Sequence, residues 1–176
     1  MSCTIDATVG GALSNSYLTV AEADAYFSTR LRVDPWIESP DDLKCRALVS
    51  ATAILDDWVE WDGAPGALTQ RLAWPRWGLL TVAGDAIEPT VIPEALKAAT
   101  CELALLLLSE DVLATPDAQK AGLTALTAGP VSLTFAGPAG QPSAGDRVLP
   151  PQVWQRIARW ACAKRGAGVV AKLERA

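Results

Sequence analysis

The side chains that could do chemistry are unevenly spread, and most lack the partner that chemistry requires. Asp56, Asp57, Glu60 and Asp62 crowd one short stretch, and Glu110 and Asp111 form a second acidic pair. Paired carboxylates can share a proton or hold a hard cation, but each of those tasks needs a base, a ligand motif or a second cluster beside it. None is legible. Histidine is absent from the whole chain, which removes Ser-His-Asp and Cys-His catalysis and imidazole-ligated metals. No phosphate-binding glycine loop is present, and the glycines of 137–145 alternate with Pro, Ala and Ser as in a loose loop. The sequence therefore points away from an enzyme, with no cofactor and no metal expected. The acids read as a solvated surface or as groups compensated by the basic side chains of a neighbouring chain.

The four cysteines, Cys3, Cys45, Cys101 and Cys162, form no C-x-x-C pair and fit no zinc spacing. They read as reduced thiols used as small apolar residues, and a disulfide framework is not expected.

The stretch Gln70-Arg71-Leu72-Ala73-Trp74-Pro75-Arg76-Trp77-Gly78 carries the most information. Proline pushes Trp74 into an extended conformation, so the segment is a non-helical connection. Two tryptophans on a loop must pack on the domain core or on another subunit. Trp74, Pro75, Arg76 and Trp77, with Asp56, Asp57 and Glu60, are the candidate subunit-interface residues.

Charge divides along the chain. Residues 1–146 hold 8 basic and 19 acidic side chains, net −11, and residues 147–176 hold 7 basic and 1 acidic, net +6. An acidic body with a basic tail is suited to two different partners. Arg156, Arg159, Lys164, Arg165, Lys172 and Arg175 are the candidate docking residues. The tail could grip nucleic acid with Trp154 and Trp160 as stacking platforms. Those rings share a face with Val153 and Ile157, however, which favours inward packing and a docking helix.

The elements that must position these groups follow from local signals. Residues 1–16 read as an irregular arm. Thr19-Val20-Ala21-Glu22 is a capping box opening a helix from Val20 to about Leu31. Ser39-Pro40-Asp41-Asp42 opens a second, with Ser39 as cap and Pro40 in the first turn. Its face is Leu43, Ala47, Ala51, Ile54, Leu55 and Trp58. A long connection spans 62–91. Pro93 opens a third helix, Glu94 to about Ser109, apolar on most sides and so central to a bundle or shared with another chain. Val131, Leu133 and Phe135 alternate with polar or small residues as in a strand, with Leu123 and Leu126 offering a hairpin partner. Pro150-Pro151 opens a last helix closed by Gly166. The fold class is mainly α: a four-helix bundle-like single domain over 1–176, with a small β-hairpin between the third and fourth helices. Residues 150–176 are its basic C-terminal helix and tail. No stretch reaches the roughly 20 apolar residues of a membrane span, and no secretory signal opens the chain.

Asn15-Ser16-Tyr17, Ala21-Glu22-Ala23-Asp24-Ala25-Tyr26-Phe27, Ala47-Leu48, Ala51-Thr52, Leu55-Asp56, Trp61-x-Gly63, Leu72-Ala73-Trp74-Pro75-Arg76, Ile92-Pro93, Leu96-Lys97 and Glu102-Leu103-Ala104 follow one another in a recognisable order. Together they cover most of residues 14–136. This order resembles the head–tail connector, or adaptor, proteins of long-tailed phages, a set often labelled DnaT-like single-stranded DNA-binding protein. The resemblance implies a helical bundle with a small hairpin, in a homo-oligomeric ring usually of twelve subunits. Its partners would be the portal and a tail-side neck or head-completion protein. Packaged DNA would pass through the channel without specific binding. The place would be the virion neck, and the host cytoplasm during assembly. The alternative is a single-stranded DNA-binding protein of replication. The resemblance brings no catalytic residues.

Overall fold

A computed structural model describes residues 2–81, 83–109, 125–128, 131–134 and 149–163. The chain divides into two compact units, one of residues 1–112 and 148–163, the other of 113–147 and 164–176. The first contains α1 (Val20–Phe27), α2 (Asp34–Ile37), α3 (Asp41–Trp58), β1 (Val59–Trp61), β2 (Ala64–Pro65), β3 (Arg76–Trp77), α4 (Glu94–Ser109), α5 (Pro151–Ile157) and β6 (Ala161–Ala163). In the second, β4 (Ala125–Ala128) pairs antiparallel with β5 (Val131–Thr134), Leu126 opposite Leu133. This is the hairpin expected from alternation; Leu123 and Phe135 lie outside the described residues.

The protein is mainly helical, as the periodicity implied, but it carries five helices among the described residues and not four. The additional one is α2. It is a single turn started by Asp34-Pro35, and its Trp36 is 1% exposed, with the indole N–H donating to Asp24 Oδ1 at 2.8 Å. One turn is too short for helical periodicity to reveal.

The capping box at α1 is present in both directions: Glu22 N–H donates to Thr19 Oγ1 at 3.2 Å, and Thr19 N–H to Glu22 Oε2 at 2.8 Å. The helix stops at Phe27, four residues before the expected end. Ser28 and Thr29 turn their hydroxyls onto the carbonyls of Ala25 and Tyr26, which competes with another helical turn. Arg32 then takes φ +60°, a backbone conformation L side chains seldom hold, and reverses the chain.

α3 begins one residue later than expected. Pro40 is its N-cap and no side chain caps it; the Ser39 hydroxyl donates instead to Pro35 O at 2.7 Å. Ala47, Ala51, Ile54 and Leu55 bury as the spacing required, with Leu48, while Leu43 is left 44% exposed. α4 covers the expected range and is central, packing against α1, α2, α3 and α5. Leu96, Ala99, Cys101, Leu103 and Ala104 are fully buried along it.

Two long-range features overturn expectations. The last helix ends at Ile157, and Ala161–Ala163 becomes a strand antiparallel to β1, with Trp61 opposite Ala161 and Glu60 opposite Cys162. A helix running to Gly166 would have denied β1 its only partner among the described residues. The second is a Cys3–Cys45 disulfide, Cα atoms 6.0 Å apart across 42 residues. The reduced state expected for these two cysteines is therefore wrong. The N-terminal arm has no helix or strand, as expected, but it folds back onto α3, and Cys3 N–H donates to Asp42 Oδ1 at 2.7 Å. Cys101 and Cys162 are free thiols, the first buried and the second exposed.

Among the described residues no helix is long and apolar enough to cross a membrane.

Candidate functional site

The Trp-Pro-Arg stretch is fixed from three directions, and each fixing group comes from a different part of the first unit. β2 and β3 pair antiparallel, Ala64 opposite Trp77 and Pro65 opposite Arg76. That pairing brings the Arg76 guanidinium under the 61–63 backbone. Its Nε donates to Asp62 O at 2.6 Å, Nη1 to Ala73 O at 3.1 Å, and Nη2 to Trp61 O at 3.1 Å and Gly63 O at 2.8 Å. A planar cation with a fixed fork of donors can bind four carbonyls at once, which a lysine ammonium cannot do in that geometry. Partial burial lowers the Arg76 pKa, opposed by Tyr17, Asp56 and Asp62.

Gly63 makes the close approach possible. It has φ +72°, and a Cβ there would sit 2.2 Å from Trp77 O. Any other residue would push β3 away and open the guanidinium cradle.

Asp56 holds the other side of the loop. One carboxylate oxygen accepts from Ala73 N–H at 2.9 Å and the other from the Tyr17 hydroxyl. The α3 terminus, the 70s loop and the segment preceding α1 are thereby joined at one side chain. Tyr17 is 3% exposed, and burial, reinforced by the Asp56 charge, raises its phenol well above the usual range.

Beneath the loop, Trp74 stands between two other indoles. Trp61 and Trp160 each lie 5.6 Å from it in edge-on arrangements. Edge-on rings present positive rims to negative faces, the favourable quadrupole geometry. Trp160 Nε1 donates to Leu80 O at 2.8 Å, while the buried Trp61 and Trp74 N–H groups have no acceptor among the described residues.

The sequence-derived interface set thus separates. Trp74 is 1% exposed and belongs to the core, the first of the two packings open to it. Arg76 and Asp56 are engaged within the subunit. Trp77 remains 55% exposed, its N–H 3.3 Å from Gly66 O, and Asp57 and Glu60 are exposed with no partner among the described residues. Pro75 follows a cis peptide bond and is buried.

The docking set separates likewise. Arg156 Nη2 reaches Glu102 Oε1 at 3.0 Å. Glu102 also accepts from Tyr26 at 2.6 Å and pairs with Arg30, so one buried carboxylate ties α1, α4 and α5. Arg159 is exposed, its guanidinium 5.7 Å from the Trp160 ring centre. Lys164, Arg165, Lys172 and Arg175 lie outside the described residues. Of the candidate stacking platforms, Trp160 is 6% exposed and Trp154 is half-buried.

Tyr17, Arg30 and the role of Glu102 were not read from the sequence. One signal was available: an acid inside an apolar helix must find donors or stay neutral.

A cleft of about 610 Å³ opens between α5 and the segment leading into α4, with Ile87, Val91, Ala95, Arg156, Arg159 and Trp160 among its lining residues. Among the described residues no cluster of side chains could hold a metal ion.

No curated protein and no solved structure matches the chain. A family model described as "Putative DnaT-like ssDNA binding protein" matches residues 1–176, and the chain belongs to that family.

Proposed function

We propose that this protein is a structural ring subunit of a phage head–tail connector. It docks on the portal, extends the DNA channel and offers a surface to the tail-side neck protein. The observation that carries the reading is how its apolar side chains are divided. Trp36, Trp61, Trp74 and Trp160 are buried, while Leu31, Ile37 and Leu43 near the start of α3, and Leu68 and Trp77 beyond its end, stay exposed. Two different apolar patches at opposite ends of one helix suit a head-to-tail contact, in which each copy gives one surface and receives another. The charge agrees. The chain carries 20 acidic and 15 basic side chains, and residues 1–146 alone are net −11; an acidic wall lets phosphates slide past without holding them.

The family description favours a second reading, single-stranded DNA binding. Such binding calls for exposed aromatic platforms beside cations along a groove. Among the described residues Trp77 is the one largely exposed indole, and the neighbouring Arg76 is committed to backbone carbonyls.

The two readings part in one titration. The full-length protein is titrated with a labelled oligothymidylate between about 50 and 200 mM salt, and the same sample is imaged alone and with portal-bearing heads. Annular particles with no salt-sensitive affinity for the strand support the connector. Micromolar or tighter binding with a steep salt slope, and no annuli, overturns it.

A further inference from the structure

Two surfaces of the first unit carry matching chemistry. One is the cleft between α5 and the segment leading into α4. Ile87, Val91 and Ala95 give it an apolar wall, Arg156 and Arg159 line one rim, and Glu88 lies across from them. Arg159 meets no carboxylate among the described residues, and Arg156, though paired with Glu102, has a buried Nε without an acceptor. Glu88 is exposed and unpaired among the described residues.

The other is the turn from α1 into α2. Val33 and Trp36 point inward, so Asp34, Ile37 and Glu38, at helical spacings of three and four, share the outward face. Leu31 is 92% and Ile37 66% exposed. Neither Asp34 nor Glu38 has an ion-pair partner among the described residues, and neither has Arg32, which the positive φ holds in the reversal. The α2 turn is therefore an apolar knob with carboxylates around it and one cation beside it. The cleft is an apolar hole with guanidiniums on one rim and a carboxylate on the other.

No residue of the α2 turn lines the cleft of its own molecule. Lys97 pairs with Glu22 at 2.7 Å and Glu102 with Tyr26 at 2.6 Å, so α1 runs beside α4 in the same direction. It delivers Leu31 toward the C-terminal half of α4, whereas the cleft is built on Pro93, Glu94 and Ala95 at the N-terminal end. Arg156 bridges the two: it lines the cleft and shares Glu102 Oε1 with Arg30.

We infer that the cleft receives the α2 knob of a second copy of this chain. Ile37 and Leu31 enter against Ile87 and Val91, the Asp34 and Glu38 carboxylates face Arg159, and Arg32 faces Glu88. The contact joins unlike surfaces, so repetition gives a ring or a filament and not a closed dimer. This inference rests on the ring reading above; it keeps Leu31 and Ile37 as one face and assigns the receiving face to the cleft, not to Leu68 and Trp77.

A charge swap tests it. Full-length wild type, Arg159→Glu, Glu38→Arg and the double variant are compared by sedimentation at low salt and by imaging of the same samples. Both positions are exposed, and thermal melts check that each variant is folded. Each single variant should weaken self-association about tenfold or more, and the double should return to within about threefold of wild type. Ile37→Asp should abolish association with no rescue by either swap. Annuli that persist unchanged in all variants overturn this contact and leave the ring reading standing. A wild type that neither self-associates nor forms annuli on portal-bearing heads overturns both.

Discussion

Arg156 and Arg30 converge on one oxygen of Glu102, Oε1, which Arg156 reaches at 3.0 Å. The first basic side chain of the tail is thus part of the protein's internal frame. Its neighbour Arg159, three residues on, keeps its charge for the surface. One helical turn separates a structural arginine from one open to a partner.

The Glu102 carboxylate is 9% exposed at its side chain, with Arg30 41% and Arg156 30% exposed. Removing the shared acceptor leaves two cations and a phenol facing an apolar helix. Glu102→Ala should lower unfolding free energy by about 3 kcal/mol in urea denaturation, within the range for breaking a buried pair. Arg30→Ala should cost less than about 1 kcal/mol, because that side chain is well solvated and Arg156 remains. Equal losses would mean that the carboxylate is not the hub.

Trp74 and Trp77 should behave oppositely. Trp74→Ala empties the centre of the indole cluster and should cost about 3–5 kcal/mol of folding stability. Trp77→Ser removes an exposed ring and should change folding by less than about 1 kcal/mol. If Trp77 contributes to an assembly contact, its loss shows in sedimentation at unchanged melting temperature. Stability losses of similar size at both positions would refute this division.

The two tyrosines give an optical check. Burial, then the bond to Glu102 and its charge, raise Tyr26 to about 12, and burial with the Asp56 charge raises Tyr17 well above 10.0. In the unfolded chain both phenols ionise near 10. Between about 10 and 12 the unfolded state releases protons that the native state keeps, so stability is full below about pH 10 and falls as pH rises toward 12. Tyrosinate absorbance should therefore stay flat through pH 10 in the native protein and appear only with unfolding. Tyr26→Phe should shift the alkaline melting transition upward in pH. Ordinary titration of both phenols near 10 would contradict the placement of Tyr17 and Tyr26.

The Cys3–Cys45 bond closes a loop of 42 residues between the arm and α3. Cross-links of this span limit the unfolded chain by about 2–4 kcal/mol. Cys3→Ser, or a reductant, should lower the unfolding free energy by that amount, and the denaturation midpoint with it, without altering helix content. An unchanged midpoint, or two free thiols more than Cys101 and Cys162 in the untreated folded protein, would remove the bridge.

How much of this was legible in the sequence follows from the range of each interaction. The capping box at Thr19, the Pro93 start of α4, the 131–134 strand and the inward face of Ala47, Ala51 and Leu55 were readable, because each depends on residues within a few positions along the chain. The non-helical character of the Trp74-Pro75 segment was readable for the same reason, since proline acts sterically on its neighbour. What only the tertiary structure decided were partners far apart: β1 with Ala161–Ala163, Cys3 with Cys45, Arg76 with the 61–63 carbonyls, Glu102 with donors from two other helices. Residues 158–163 have enough helical character to continue α5. They turn instead, and Ala161–Ala163 form a strand because β1 offers unpaired backbone groups that cost more left bare than a helical turn gains. Composition alone set the acidic body and the absence of histidine chemistry. Which acids were bound inside, as Asp56 and Glu102 are, and which stayed outside, as Asp34 and Glu38 do, depended on where packing brought donors within reach.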